Sequence, residues 1–139
     1  MDIPGVLIDT NAYAAFKRGR LGAVDVIRHV PLIGVSSIVL GELLSGFSLG
    51  TRSQANQQDL DAFLHSSRVR LYPIDAETSS YYAAVYRNLR HIGRPVPTND
   101  LWIAATALQH GLAVFTYDRH FAVIPGIVTC EQITDLIDQ

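Results

Sequence analysis

The chain has 139 residues, 48% of them hydrophobic, with one cysteine and a formal net charge of −2. This length predicts one domain over residues 1–139, with enough apolar residues for a substantial core. The composition excludes an internal disulfide, a cysteine-based zinc site and the strongly basic surface of many nucleic-acid-binding proteins.

Short apolar runs alternate with amphipathic helical patterns, which predicts an α/β fold with a mainly parallel sheet of about five strands. In chain order, the first predicted elements are strand Gly5–Ile8, helices Ala12–Arg18 and Ala23–Val30, strand Leu32–Ser36, a helix capped by Ser37 and ended by Gly46, and helix Ser53–Ser66. The later predicted elements are strand Val69–Ile74, a helix from its cap Asp75 to Ile92, a turn over Arg94–Pro97, a helix capped by Thr98 or Asn99 and running to His110, strands Ala113–Thr116 and Ile127–Cys130, and helix Glu131–Ile137.

No apolar run is long enough to cross a bilayer. The opening residues lack the charged and apolar regions of a signal peptide. We therefore expect a soluble, cytoplasmic protein without a membrane partner.

Four acidic residues stand in apolar surroundings that give folding little reason to place them there. Asp9 and Asp118 follow apolar strand patterns, and Glu42 and Asp100 lie within apolar helical patterns. Buried carboxylates are costly unless they are paired or bind a cation. Arg119 is the one basic residue that lies close to any of the four in the sequence.

The predicted topology brings these four acids to one edge of the sheet. Asp9 and Asp118 follow the C-terminal ends of parallel strands, and Glu42 lies in the second turn of a helix that leaves another strand. The helix that begins near Asp100 runs antiparallel to the following strand, so it returns Asp100 to the same edge. Taken alone, Asp9 is also explained as an N-cap, Asp100 as a helix-dipole partner and Asp118 as a turn residue. Glu42 is the hardest to explain in this way, because its neighbours are all apolar or small. Together they predict a divalent cation site made of oxygen ligands.

Four pieces of sequence in a fixed order extend this interpretation: Leu7–Asn11, Glu42, Asn99–Ala105, and Thr116–Phe121 followed by Ile124–Gly126. In this order and spacing the chain resembles the PIN-domain ribonucleases, and among them the VapC-type toxins of type II toxin–antitoxin modules. The resemblance implies a PIN-like three-layer α/β/α fold and cleavage of RNA with Mg²⁺ or Mn²⁺. Where many members carry a further acid, this chain has His120, which we interpret as a surface turn residue.

The resemblance and the residue chemistry assign roles to the acids. The expected catalytic residues are Asp9, Glu42, Asp100 and Asp118. Asp9 and Asp100 are expected to ligate Mg²⁺ or Mn²⁺ directly, and Asp118 to ligate it directly or through water. Glu42 is expected to position or deprotonate the attacking water. Two neighbours are expected to orient the carboxylates, Asn11 and Thr116.

The resemblance also implies partners of the protein. A cognate antitoxin is expected to lay its flexible tail along an apolar groove and to place an Arg or Lys among the four acids. A homodimer is expected because helix Ile38–Leu44 and the segment Leu60–Leu64 offer more apolar surface than one small sheet needs.

Two other functions remain open from the residues. A phosphatase or phosphotransfer domain would use Asp9 as its nucleophile, but Asn11 stands where its second acid is expected, and Glu42 has no role in it. A catalytically idle scaffold that only binds a partner is the other alternative. The complete set of four acids argues against that scaffold.

Overall fold

The computed structural model describes residues 4–137, and its centre is a parallel five-stranded sheet in the order β3-β2-β1-β4-β5. The strands are β1 (Val6–Ile8), β2 (Ile33–Ser36), β3 (Val69–Tyr72), β4 (Ala113–Phe115) and β5 (Thr129–Cys130). The opening residues 1–3, on which the expectation about a signal peptide rests, lie outside the described range. The predicted parallel sheet is confirmed.

The helices of the described range connect the strands. They are α1 (Thr10–Lys17), α2 (Leu21–His29), α3 (Ser37–Ser48), α4 (Ser53–Leu64), α5 (Ala76–Ile92), α6 (Thr98–His110) and α7 (Ile133–Ile137), with a 3₁₀ helix at Arg119–Val123. None of the helices within residues 4–137 has the length and apolar content that a bilayer crossing requires.

The strand order places the helices in two layers around the sheet. Crossovers between parallel strands are right-handed, so α1–α4, which lead from β1 through β2 to β3, cover one face. The return from β3 to β4 carries α5 and α6, which pack along each other, to the opposite face. Every residue of β1, β2 and β4 is buried, as their continuous apolar runs predict. The predicted three-layer α/β/α fold is confirmed.

The order of strands reverses direction between β1 and β4. Leu7 pairs with Gly34 of β2 on one side and with Val114 of β4 on the other. In open parallel sheets the crevice at such a switch point, beyond the C-terminal strand ends, is where ligands bind. Asp9 directly follows β1 at this crevice.

The start and end of α3 differ from the sequence prediction. Ser36, not Ser37, caps the helix, and its Oγ accepts a hydrogen bond from the backbone N–H of Val39 at 3.1 Å. Ser36 is the last residue of β2 and keeps an extended backbone, which a cap residue needs. Gly46 does not end the helix, which continues to Ser48.

Other boundaries shift for local reasons. Pro97, not Thr98 or Asn99, occupies the cap position of α6, and the helix begins at Thr98. Strand β3 ends at Tyr72 because Pro73 has no N–H for the ladder. The last two predicted elements are also shorter: β5 begins at residue 129 instead of 127, and α7 at 133 instead of 131.

Candidate metal centre

Asp9 is the deepest of the four acids, with 5% of its surface exposed. It caps α1, and its Oδ1 accepts a hydrogen bond from the backbone N–H of Thr10 at 2.8 Å. Its Oδ2 accepts from the Thr116 hydroxyl at 2.8 Å and from Nδ2 of Asn11 at 3.3 Å. Burial raises the pKa of Asp9 to about 6, and the negative charges of Asp100 and Glu42 act in the same direction.

The residues after β1 and β4 are joined by side-chain hydrogen bonds. The Oδ1 of Asn11 accepts from the backbone N–H of Tyr117 at 3.0 Å. The Thr116 hydroxyl, which donates to Asp9, accepts from the backbone N–H of Asp118 at 2.9 Å. Asn11 and Thr116 therefore lie where groups that orient the Asp9 carboxylate must lie.

Asp100 and Asp118 meet through a third side chain, His120. Its Nδ1 lies 3.0 Å from Oδ2 of Asp100 and 3.1 Å from Oδ1 of Asp118. The side chains of Asp100 and Asp118 are 13% and 30% exposed, so both remain accessible from the crevice. Burial raises the pKa of Asp100. The hydrogen bond that His120 donates to Asp100 and the negative charge of Asp118 raise the pKa of His120.

His120 differs from the sequence interpretation. It is exposed, as a surface turn residue is expected to be, but it also bridges two of the predicted site acids. Within residues 4–137 the tightest group of candidate metal ligands is Asp100, Asp118 and His120, with ligand atoms within 4.8 Å of one another. Asp118 caps the 3₁₀ helix by accepting a hydrogen bond from the backbone N–H of His120, which turns residue 120 back toward Asp118. The two-residue spacing of Asp118 and His120 is the feature of the sequence that corresponds to this contact.

Glu42 is half-buried beside this group and is held from two sides. Its Oε1 accepts from the Thr10 hydroxyl at 2.7 Å, and its Oε2 accepts from Nδ2 of Asn99 at 3.2 Å. Thr10 and Asn99 lie in the sequence pieces that carry the resemblance, and each adjoins a predicted site acid, but the sequence assigns neither of them a role at the site. Glu42 lies outside the 4.8 Å group, but its negative charge contributes to the raised pKa of Asp100.

The donor set fits a hard divalent cation. The carboxylates of Asp100 and Asp118 offer oxygen ligands within the 4.8 Å group, and no cysteine belongs to it. Asp9 lies outside the 4.8 Å group, but it is near enough for the charge of Asp100 to raise its pKa. Carboxylates that are buried close together favour a positive charge between them. The His120 imidazole lies between two of these carboxylates, which favour its protonated form and raise its pKa.

Comparisons with known proteins agree with the fold. Residues 6–127 match the PIN domain family. The chain is 36% identical to Ribonuclease VapC4 of Mycobacterium tuberculosis over 128 residues, which cover 91% of this chain and 96% of that protein.

Two solved structures are similar over most of their length. VapBC2 from Rickettsia felis, bound to a DNA fragment from its promoter, gives a TM-score of 0.78 at 27% identity, over 91% of this chain and 97% of that chain. VapBC-5 from M. tuberculosis, a member of the VapBC family of toxin–antitoxin systems, gives 0.70 at 26% identity, over 88% and 92%. By its sequence match and its fold, the chain belongs to the PIN domain family.

Proposed function

We propose that the chain is a divalent-metal-dependent endoribonuclease that acts in the cytoplasm as the toxin of a toxin–antitoxin pair. The observation that carries this proposal is the convergence of Asp9, Asp100 and Asp118 at the switch point, with Glu42 beside them. The similarity to a ribonuclease and to a toxin–antitoxin complex supports the RNA substrate and the antitoxin partner.

The three aspartates would hold Mg²⁺ or Mn²⁺, and Glu42 stands outside this set. A bound cation supplies Lewis-acid stabilisation of the scissile phosphate and lowers the pKa of an attacking water. Thr10 and Asn99 hold both carboxylate oxygens of Glu42, which is then oriented to accept the proton of that water. Thr116 and Asn11 keep Asp9 in the geometry of a ligand.

A phosphatase with Asp9 as nucleophile fits this geometry less well. Asn11, where such an enzyme needs its second acid, is engaged by the backbone of Tyr117 and by Asp9 itself. The covalent intermediate of that mechanism also leaves Glu42 without a role.

The proposed activity is tested with the purified chain and total RNA. We expect cleavage with Mg²⁺ or Mn²⁺ and none after chelation of the metal with EDTA, and sequencing of the new RNA ends identifies the preferred substrate. RNA that stays intact with every divalent cation tested contradicts the proposal.

The antitoxin tail has a suitable groove next to the acids. A cavity of about 410 Å³ between α1, α3 and α4 has both apolar and charged side chains in its lining, which includes Tyr13, Leu43, Phe47, Lys17, Arg18, Arg52 and Asp59. The Tyr13 hydroxyl is buried and has no hydrogen-bond partner among the described residues. Leu43 directly follows Glu42, so a tail in this groove reaches the acids, where its Arg or Lys would make charge-assisted contacts.

We predict that the complex with the antitoxin is inactive and that replacing the tail's basic residue by Ala restores cleavage. The measurements are co-purification, titration of the toxin with antitoxin, and cleavage at each ratio. Full activity of the wild-type complex with Mg²⁺ would show that inhibition does not act at the acids.

A homodimer through α3 is proposed as well. Leu44 of α3 is 40% exposed, and Leu49, which directly follows the last residue of α3, is 90% exposed, so apolar surface is accessible at the C-terminal end of this helix. Leu60 does not contribute, in contrast to the sequence expectation, because it is 1% exposed and belongs to the core.

We predict that Leu44→Ser with Leu49→Ser gives monomers in sedimentation at micromolar concentration, whereas Leu21→Ser, at an 85% exposed position on α2, leaves the dimer intact. A wild-type chain that sediments only as a monomer would refute the dimer.

A further inference from the structure

A groove of about 380 Å³ lies where α5 turns into α6. Gly93 ends α5 with a φ of 67°, a left-handed conformation that suits glycine and reverses the chain. The groove is lined by apolar side chains of Leu89, Val96 and Leu101, together with Pro95. Leu89 and Leu101 are buried in the core, so the base of the groove is fixed.

The remaining lining side chains are aromatic and positively charged. Tyr86, Arg90 and Arg94 line the groove, and all three are exposed. The guanidinium of Arg90 donates to the Tyr86 hydroxyl at 3.4 Å and lies 6.0 Å from the centre of its ring. Within residues 4–137 neither arginine forms an ion pair with a carboxylate. Two uncompensated positive charges therefore stand beside an aromatic ring over an apolar floor.

This groove adjoins the candidate metal centre along the chain. Leu101, which lines the groove, directly follows Asp100, whose carboxylate contacts His120. Successive helical residues point about 100° apart, so the groove and the acids lie on neighbouring sides of the first turn of α6. A strand whose scissile phosphate lies at Asp100 can therefore continue into the groove.

The chemistry of the groove matches single-stranded RNA. Sequence-tolerant binding of single strands combines positive charge along the backbone with aromatic rings on which bases stack, and Arg suits phosphate recognition because its fork of donors is planar. We propose that the α5–α6 groove binds a nucleotide of the substrate next to the scissile phosphate, with Arg90 and Arg94 on phosphates and a base on Tyr86. This inference rests on the proposed ribonuclease function.

The test compares two double variants that remove the same charge. Arg90→Gln with Arg94→Gln removes the groove cations, whereas Arg28→Gln with Arg70→Gln removes two exposed arginines of α2 and β3. Binding of a fluorescent single-stranded RNA is measured by anisotropy in Ca²⁺ at several salt concentrations, and cleavage is measured with Mn²⁺. We expect the groove variant to weaken binding and raise KM about tenfold, and to reduce the slope of log K against log salt by about 1.4. The control pair should change KM less than twofold.

Two further variants separate the effect of charge from the effect of base stacking. Arg90→Lys with Arg94→Lys should keep the salt dependence of RNA binding. Tyr86→Leu should weaken RNA binding about fivefold and leave its salt dependence unchanged. The inference is wrong if the groove and control double variants have equal effects, or if the groove variant binds RNA as the wild type does. It is also wrong if a changed oligomeric state of the groove variant accounts for its loss of RNA binding. In each of these cases the wild type still cleaves RNA, whereas a wild type that neither binds nor cleaves RNA refutes the ribonuclease function itself.

Discussion

Replacing any one of Asp9, Asp100 and Asp118 by Ala is expected to lower RNA cleavage by more than about 100-fold. Groups that only orient a ligand typically contribute 10- to 100-fold, and a direct ligand contributes more because its loss removes the cation with its charge. Glu42→Gln keeps the size of the side chain, but it replaces one of the two acceptor oxygens by an amide donor and cannot accept a proton, so a loss of about 10²- to 10⁴-fold is expected for a general base. Initial rates with Mn²⁺, together with circular dichroism of each variant, provide the measurement.

Two control variants are compared with the substitutions of the acids. Thr116→Val removes the hydroxyl that donates to Asp9 at 2.8 Å and should cost about 10- to 100-fold in activity or metal affinity. Asp61→Ala removes an exposed acid of α4 and should leave the rate unchanged. If two of the four site acids can be replaced with near-neutral effects in folded protein, the acids do not form a shared site.

The sheet and its acidic edge follow from local patterns in the sequence. The apolar runs that end at Ile8 and Phe115 predict buried parallel strands, and parallel strands place the residues after them at one edge. The position of Asp100 follows from geometry alone, because the short turn before β4 forces α6 to run back along it. Gly93 and Gly111, both with positive φ, end α5 and α6 as predicted.

The contacts that complete the site could not be predicted in this way. The hydrogen bond from Asn99 to Glu42 joins residues 57 positions apart, and it depends on how α6 packs against α3. The His120 bridge depends on the 3₁₀ turn that Asp118 caps, and five-residue segments of this kind leave no periodic pattern. Patterns of apolar residues thus predict which edge carries the acids, whereas their hydrogen-bond partners are fixed by packing between elements distant in sequence.

The burial of Asp9 has a consequence for stability. Its pKa is about 6 in the folded protein, against 3.8 for an unperturbed aspartate. Between these two values the folded state holds a proton that the unfolded state has released, so stability falls as the pH rises through this range. Above pH 6 the ionised carboxylate costs about 3 kcal/mol of folding free energy in the absence of a cation. A bound divalent cation offsets this cost because it favours the ionised form.

Asp9→Asn is therefore expected to stabilise the metal-free protein at pH 8 by up to about 3 kcal/mol, a rise in Tm of several degrees. The gain should shrink as the pH falls below 6 and vanish below about pH 3, where the wild-type carboxyl is protonated in both states. Addition of Mn²⁺ at pH 8 should raise the Tm of the wild type and leave that of Asp9→Asn nearly unchanged. Thermal melts with EDTA and with Mn²⁺ across this pH range measure both effects. A variant that is equally destabilised at pH 4 and pH 8 would mean that Asp9 acts only as a helix cap, and an equal Mn²⁺ shift in both proteins would place the cation elsewhere.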